Sequence, residues 1–293
     1  MKYIMLSPVE ITKLSKVIKQ HLEKEPWNVI DWSTLSSNPN AIPLLERNMD
    51  KIDWKFLSSN PNAIPLLEKN LDKVNWRALS SNPNAVHLFE QNLDKIDWQM
   101  VSANPNAVPL LEKNMDKIDW IWLPTNPNAI HLVEKYFDES YLHGLCLNPN
   151  PKAIDILEKN IHNERIEWMH LFKNPSAVRL IEQYPYYIQF DLEHNEKNSW
   201  FNLSKNPNAI HILEKNLDKV NWDTLSSNPN AIPLLEKNIH KVYWDGVSQN
   251  PSPDAIPLLK KYPHKIIWWA LCNNPNAIPL IEFYLTQVET DSL

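Results

Sequence analysis

The histidines and cysteines of this chain are its first candidates for chemistry, and their spacing predicts none. No pair among the ten histidines has the spacing of a metalloprotease or zinc-finger site. His87, His131 and His211 instead take the place of a proline in the first turn of a predicted helix. Cys146 and Cys272 lie far apart, and neither has a neighbour typical of a nucleophile or a zinc site. We therefore expect no metal ligand, no cofactor and two free buried thiols.

The glutamates recur at one position instead of forming a single constellation. They stand at Glu46, Glu68, Glu90, Glu112, Glu134, Glu158, Glu182, Glu214, Glu236 and Glu282, with Lys260 as the exception. Acid–base catalysis needs carboxylates in unlike environments. A tenfold copy predicts a solvated edge, whose charge is offset by neighbouring lysines and arginines. We therefore expect no catalytic residue and no enzymatic activity.

One phrase generates this regularity and predicts the architecture. It reads Asn-Pro-Asn-Ala-Ile-x-Leu-Leu-Glu-Lys-Asn and then Asp-Lys-Ile-Asp-Trp-x-x-Leu-Ser-Ser, and its leading asparagine occurs eleven times, at 38, 60, 82, 104, 126, 148, 174, 206, 228, 250 and 274. Most steps are 22 residues long, and the others are 24, 26 and 32. Such a unit cannot bury its apolar face alone, so a fixed period predicts stacked neighbours. Each repeat is named below by its leading asparagine, and the tryptophan that stands six residues before this asparagine is counted as part of the same repeat.

Two short helices are expected in each repeat. Asn40 is the expected N-cap of the first, which we call the Leu helix and place at about 41 to 47. Asn48 stands where a left-handed residue could end it. Asp53 is the expected N-cap of the second, the Trp helix, which Pro61 ends and which is short enough to be partly 3₁₀. The fold class is therefore all-α, a right-handed α-solenoid of eleven helix pairs.

Tryptophan stands six residues before the leading asparagine in ten of the eleven repeats. Leu142 replaces it in the Asn148 repeat. The invariant spacing favours a ladder of core side chains over a row of binding platforms. The asparagines are interpreted in the same way, as side chains that cap turns and bond the backbone of the next repeat.

The expected domain organisation has three parts. Residues 1–30 contain a capping helix, about Pro8 to Lys24, that should cover the open end of the first repeat. Residues 31–285 form the solenoid, with an irregular stretch at 136–200, and residues 286–293 form a polar tail. The tryptophan-free Asn148 repeat and an insertion at 184–197 make that stretch irregular. This insertion is either a binding loop or a plug for the gap between irregular repeats.

Composition excludes several classes of partner. The net charge is −6, and lysines alternate with glutamates, so no basic stripe for nucleic acid is present. Only two glycines occur against 24 prolines, which argues against glycine-rich phosphate loops. No stretch approaches the roughly 20 apolar residues of a membrane span, and the N-terminus lacks the apolar core of a signal peptide.

The repeat resembles known sequences in two respects. Its Leu57-Ser58-Ser59-Asn60-Pro61 segment, followed by Leu66-Leu67, resembles the leucine-rich variant repeat, a unit that pairs an α-helix with a 3₁₀ helix. In its Asn-Pro-Asn-Ala-Ile and Leu-Leu-Glu wording, the chain is similar over residues 31 to 285 to tandem-repeat proteins of large DNA viruses. That resemblance implies a viral infection or assembly setting and provides no catalytic residues.

These observations favour a non-catalytic scaffold that binds a protein partner in an intracellular, reducing compartment, the host cytoplasm or the virion. A structural virion component is the alternative, and a nucleic-acid-binding helical array is less favoured. The two residues after each tryptophan vary most, which makes Lys55, Phe56, Arg77 and Trp122 candidate contacts. The insertion adds a cluster of aromatic candidates, Tyr184, Tyr186, Tyr187 and Phe190. The sequence does not fix the oligomeric state.

Overall fold

A computed structural model describes residues 8–24, 30–185 and 199–291, and these residues contain helices but no strand. The all-α prediction is confirmed for this part of the chain. None of the described helices is both long and apolar enough to span a membrane. Tyr186, Tyr187 and Phe190 lie outside the described residues, as does most of the insertion that contains them.

The repeats contribute Leu helices and Trp helices in alternation. The Leu helices are Ile42–Glu46, Ile64–Glu68, Val86–Phe89, Val108–Lys113, Ile130–Lys135, Pro151–Lys159, Val178–Gln183, Ile210–Glu214, Ile232–Lys237, Ala255–Lys261 and Ile278–Asp291. The Trp helices and their equivalents are Trp32–Ser37, Trp54–Ser59, Trp76–Ser80, Trp98–Ala103, Leu142–Leu147, Trp168–Lys173, 199–205, Trp222–Ser226, Trp244–Gln249 and Trp268–Leu271. Short 3₁₀ turns occur at Met49–Lys51, Met115–Lys117, Leu123–Thr125, Glu139–Tyr141, Pro175–Ala177, Ile239–Lys241 and Pro263–Lys265.

The Trp helix begins and ends for the reasons that the sequence indicates. The Asp53 carboxylate accepts hydrogen bonds from the backbone N–H groups of Lys55 and Phe56, at 3.0 and 3.3 Å. Asn60 is extended because Pro61 follows it, and the Asn60 N–H closes the last turn on Leu57. This N-cap prediction is confirmed.

The Leu helix departs from the prediction at both ends. Ala41, not Asn40, occupies the N-cap position, and the Asn40 side-chain amide donates to a carbonyl of another repeat, as described below. Asn48 has φ −134° and ψ 52°, so it is not left-handed. Its side-chain amide instead donates to the Leu44 carbonyl at 2.9 Å, which satisfies one of the open carbonyls at the helix end.

The core consists mainly of leucine, alanine and isoleucine. Leu57, Ala63 and Leu67 are fully buried, and Ile52 and Leu66 are nearly so. Among the described repeat tryptophans, Trp200 and Trp268 are buried. The others, at 32, 54, 76, 98, 120, 168, 222 and 244, are half-buried. The ladder is therefore buried at two of the described positions and partly exposed at the other eight.

The described residues belong to two compact bodies, and each is treated separately. Body 1 comprises Met1–Asn62 and Trp222–Leu293, and body 2 comprises Ala63–Asn221. In body 2 the leading asparagines link successive repeats. The Asn104 side-chain amide donates to the carbonyls of Ser80 and Asn82, both at 3.0 Å, and its oxygen accepts the Asn106 N–H. The predicted inter-repeat bonding of the asparagines is confirmed here, but the bonds run to the preceding repeat and not to the next one.

In body 1 the same bonds join the first repeat to the last. The Asn38 amide donates to the carbonyls of Cys272 and Asn274, at 2.8 and 3.2 Å. Asn40 donates to the Pro275 carbonyl at 2.8 Å, just as Asn62 donates to Pro39 in the neighbouring pair. The Asn274 repeat thus takes the place of a preceding neighbour for the Asn38 repeat.

The N-terminal helix runs from Pro8 to Lys24, as predicted. It packs against the C-terminal helix Ile278–Asp291 and the turn Pro263–Lys265. Lys260 contacts Glu10 at 3.2 Å, which explains why this position alone departs from glutamate. We expected the helix to cover the open face of the first repeat, but the last repeat occupies that face. The predicted polar tail from residue 286 is also helical as far as Asp291.

Candidate functional site

The glutamate edge is a series of exposed ion pairs between successive repeats. His87 contacts Glu68 at 2.9 Å, and His131 contacts Glu112 at 3.0 Å. His211–Glu182 and Lys113–Glu90 repeat the arrangement at 2.8 and 3.0 Å. These side chains are about half exposed, so each pair contributes little to stability. The three histidines thus each pair with one carboxylate.

In two repeats the residue after the tryptophan contacts the N-cap of the following Trp helix. The Ser33 hydroxyl donates to the Asp53 carboxylate at 3.0 Å. The Arg77 guanidinium lies 3.4 Å from the Asp97 carboxylate and is 69% exposed. Arg77 is therefore partly committed to an internal ion pair. Lys55 is exposed, and Phe56 is 43% exposed.

Among the described residues of body 2, exposed apolar side chains occur in two pairs near Trp120: the pair that follows it in sequence and the pair that contains Tyr136. We define the aromatic patch as Ile121, Trp122, Tyr136 and Phe137, which are 75, 38, 42 and 41% exposed. Trp120 lies beside it, with its ring centroid 5.3 Å from that of Tyr136 in an edge-to-face arrangement. Large exposed apolar groups of this kind mark interaction sites.

Ile121 and Trp122 form one of the variable pairs that the sequence singled out, with Trp122 as the candidate contact, but Tyr136 and Phe137 were not singled out. Tyr136 stands where most repeats have asparagine, as at Asn114, although tyrosine recurs there as Tyr184, Tyr262 and Tyr284. Phe137 is the one aromatic residue at the next position, where the other repeats have leucine, methionine, isoleucine or proline. That substitution was the available signal. In the regular repeat the asparagine bonds back to its own helix, as Asn114 does to Leu110 at 2.8 Å. Tyrosine replaces this local bond with a ring that meets Trp120.

Tyr184 is the one described member of the insertion cluster. It is half-buried, and its hydroxyl lies 3.5 Å from the Gln183 amide. Gln183 and Arg179 both bond to Glu158 of the preceding repeat, each at 2.9 Å. Tyr184 thus follows the helix Val178–Gln183, whose last residues bond to the preceding repeat. Whether the rest of the insertion is a loop or a plug depends on residues outside the described ranges.

A cluster of His143, Glu167 and His170 lies in the irregular stretch of body 2. One Glu167 carboxylate oxygen lies 2.8 Å from His143 Nδ1, and the other lies 3.0 Å from His170 Nε2. The imidazole rings meet edge to face at 5.2 Å. Burial lowers the pKa of His170, helped by the positive charge of Lys173 and opposed by Glu167. Among the described residues, His170 Nδ1 has no hydrogen-bond partner although it is buried.

Glu167 can contact both histidines because its carboxylate does not cap the helix that follows it. Glu167 stands at the N-cap of its Trp helix, where Asp53, Asp97 and Asp119 bond the helix N–H groups. Its longer side chain makes no such cap bond within the described residues. Sequence reasoning missed the cluster because the histidines belong to different repeats. The glutamate at an aspartate or asparagine position was the signal.

The two cysteines are buried and free, as expected. Burial raises the pKa of Cys146 to about 12 and that of Cys272 to about 11. The backbone N–H of Glu167 hydrogen-bonds Cys146, and that of Asp31 hydrogen-bonds Cys272. Serine accepts the corresponding bond in regular repeats, as Ser102 does from Asp119 at 2.9 Å. These thiols replace serines and are poor nucleophiles at neutral pH.

Comparison with known proteins adds no assignment. No family model, no curated protein and no solved structure matches this chain.

Proposed function

We propose that this protein is a non-catalytic repeat scaffold that binds a protein partner through the aromatic patch. The partner presents apolar side chains to Ile121, Trp122, Tyr136 and Phe137. The observation that carries the proposal is the exposure of four neighbouring apolar side chains, two of them on residues that replace the regular repeat pattern. Tryptophan and tyrosine contribute strongly to protein interfaces because they bury large rigid areas at low entropic cost.

The frame for this surface is, in the same proposal, an α-solenoid of eleven stacked helix pairs. The inter-repeat bonds of Asn104 and its equivalents support stacking in chain order within body 2. Stacked repeats hold a fixed frame while a few surface positions vary, which suits recognition. The setting of viral infection or assembly rests on the wording of the repeats alone.

Site-specific photocrosslinking tests the binding surface. A photoreactive phenylalanine analogue at position 121 should capture a protein that the same analogue at Tyr243 does not. Tyr243 is a suitable control because it is 52% exposed and belongs to body 1. The captured protein is then purified and titrated against the full chain.

A patch variant and a control variant distinguish specific binding at the aromatic patch from non-specific hydrophobic binding. Ile121→Ser with Trp122→Ser should weaken binding of the captured protein by tenfold or more, because both side chains expose apolar area that the partner would bury. Phe56→Ser is the matched control and should leave binding unchanged. Equal weakening by both variants would contradict the proposal. Submicromolar RNA or DNA binding with a steep salt dependence would favour the nucleic-acid alternative instead.

A further inference from the structure

We propose that His143, Glu167 and His170 form a binding site for a divalent transition-metal ion such as Zn²⁺. The site does not depend on the proposed scaffold function. Its ligands would be His143 Nδ1, His170 Nε2 and the Glu167 carboxylate. These potential ligand atoms all lie within 4.8 Å of one another.

The donor set matches the chemistry of such ions. Two imidazole nitrogens and one carboxylate, with remaining positions open to water, suit Zn²⁺ and related divalent metals and do not suit Ca²⁺ or Mg²⁺. Zinc binds nitrogen and carboxylate oxygen at about 2.0–2.2 Å, which places ligand atoms roughly 3–3.5 Å apart. The two Glu167 oxygens lie 2.8 and 3.0 Å from the histidine nitrogens, close to that separation. The two imidazole nitrogens lie within 4.8 Å of each other and would have to approach to it when an ion binds.

The local backbone provides a second, independent observation. In regular repeats the N-cap carboxylate is held by helix N–H groups, as Asp97 is by Gln99 and Met100. Glu167 makes no such cap bond and instead contacts two histidines, one on Leu142–Leu147 and one on Trp168–Lys173. A bound cation would therefore join Leu142–Leu147 to Trp168–Lys173, inside the stretch where the repeat pattern is least regular.

The surroundings set a moderate affinity. A ligating histidine normally donates its second ring N–H to an acceptor, and loss of that partner weakens binding by roughly 10–100-fold. His170 Nδ1 has no such partner among the described residues, and Lys173 adds nearby positive charge. We expect micromolar rather than nanomolar affinity for Zn²⁺.

Isothermal titration of the full, tag-free chain with Zn²⁺ tests the site, together with the visible spectrum after Co²⁺ addition. One ion should bind, and saturating Zn²⁺ should raise Tm by about 2–5 °C, because ligand binding stabilises the folded state by mass action. Glu167→Asp and His170→Gln should each weaken binding at least tenfold. Glu167→Asp is informative because aspartate can cap the helix as in other repeats, so its loss of binding should occur without loss of Tm in metal-free buffer.

His131→Gln is the matched control. His131 contacts Glu112 at 3.0 Å and is about as exposed as His143, but it forms part of a single pair and not of the three-residue cluster. This variant should bind Zn²⁺ as the parent does. The proposal is overturned if the parent binds no Zn²⁺ below 100 μM, if His131→Gln loses as much affinity as His170→Gln, or if Glu167→Asp retains full binding.

Discussion

Asn104 illustrates why one residue type dominates the repeat. Its amide group donates two hydrogen bonds to the preceding repeat, and its oxygen accepts one from its own turn. The side chain is 2% exposed, so no solvent can replace these bonds. Aspartate lacks the donor, serine lacks the reach, and glutamine has an extra methylene. Asparagine is therefore required by chemistry and by length.

This requirement predicts an order of damage at position 104. Asn104→Ala should reduce the free energy of unfolding by about 2–4 kcal/mol, because two buried carbonyls lose their donor. Asn104→Asp should be worse despite its similar size, since a carboxylate would face the carbonyls of Ser80 and Asn82. Urea unfolding at pH 7 measures both. An aspartate variant more stable than the alanine variant would contradict the donor interpretation.

The Tyr284 hydroxyl is buried and makes no hydrogen bond to any described residue. The Tyr284 ring packs on Trp268 with centroids 4.5 Å apart. Tyr284→Phe should therefore be neutral or stabilising by about 1 kcal/mol. Tyr262→Phe, at a half-buried ring, is the control. Destabilisation by more than 1 kcal/mol would reveal a partner for the Tyr284 hydroxyl.

The same hydroxyl makes stability depend on alkaline pH. Burial raises the pKa of Tyr284 from its ordinary value of 10.0 to about 12. Its contribution is fully present below pH 10 and is lost as pH rises from 10 towards 12, because the unfolded chain ionises first. Urea titrations at pH 9 and 11 should show a smaller decline for Tyr284→Phe than for the parent. An equal decline in the free energy of unfolding would mean that a group other than Tyr284 causes the pH dependence.

At the scale of the helix, the sequence was informative where a side chain acts on its own backbone. Asp53 and Pro61 fix the Trp helix through local bonds and local sterics, so both bounds could be predicted. Asn48 was misread because its side chain bonds its own helix, at the Leu44 carbonyl, without a left-handed backbone. Asn40 was misread because its partner is distant in sequence. Asn40 bonds a carbonyl 235 residues away in the chain, which no local pattern reveals. The His143–Glu167–His170 cluster escaped prediction for the same reason.

The tryptophans should differ in importance according to burial. Trp268 is 2% exposed, so Trp268→Ala should cost about 3–5 kcal/mol, as large core truncations do. Trp98 is half-buried, and Trp98→Ala should cost about 2 kcal/mol, since less apolar area leaves contact. Chemical unfolding of both variants provides the comparison. Equal losses of unfolding free energy in the two variants would mean that the exposure of a tryptophan does not determine how much it stabilises the fold.

The two glycines should reverse the usual helix preference. Alanine normally stabilises a helix interior by about 1 kcal/mol relative to glycine. A Cβ at Gly246 would lie 2.7 Å from the Ser226 Cβ, and one at Gly144 would lie 2.9 Å from the Pro124 Cβ. Gly246→Ala and Gly144→Ala should therefore each lose about 1–3 kcal/mol. A rise in Tm for either variant would show that the neighbouring turn can move away.

At the scale of the whole molecule, repeats that are far apart in sequence can be direct neighbours in the structure. The Asn38 repeat is the first in sequence, yet in body 1 the last repeat packs on it with the ordinary inter-repeat bonds. Arg47 also contacts Glu282, the same pairing that Lys113 makes with Glu90 one repeat earlier. Three separate bond types thus agree on this neighbour relation.

That relation predicts where damage to the first repeat is felt. Asn38→Ala should increase deuterium uptake in Trp268–Leu271 and Ile278–Asp291, because the donor to Cys272 and Asn274 is lost. Asn60→Ala is the matched control and should act on the Asn38 repeat, whose Ser36 and Asn38 carbonyls it bonds. Increased uptake confined to residues 30–62 in both variants would contradict the prediction.

The bond from Asn38 to Cys272 spans 234 residues, and this separation has a consequence for synthesis. Contacts between residues far apart in sequence form late, because a long loop must close before they stabilise anything. At about 5–20 residues per second, a ribosome needs roughly 10–50 s to make the intervening chain. During that interval the nascent Asn38 repeat has an unpaired face, and we expect chaperones to bind it there until the Asn274 repeat emerges.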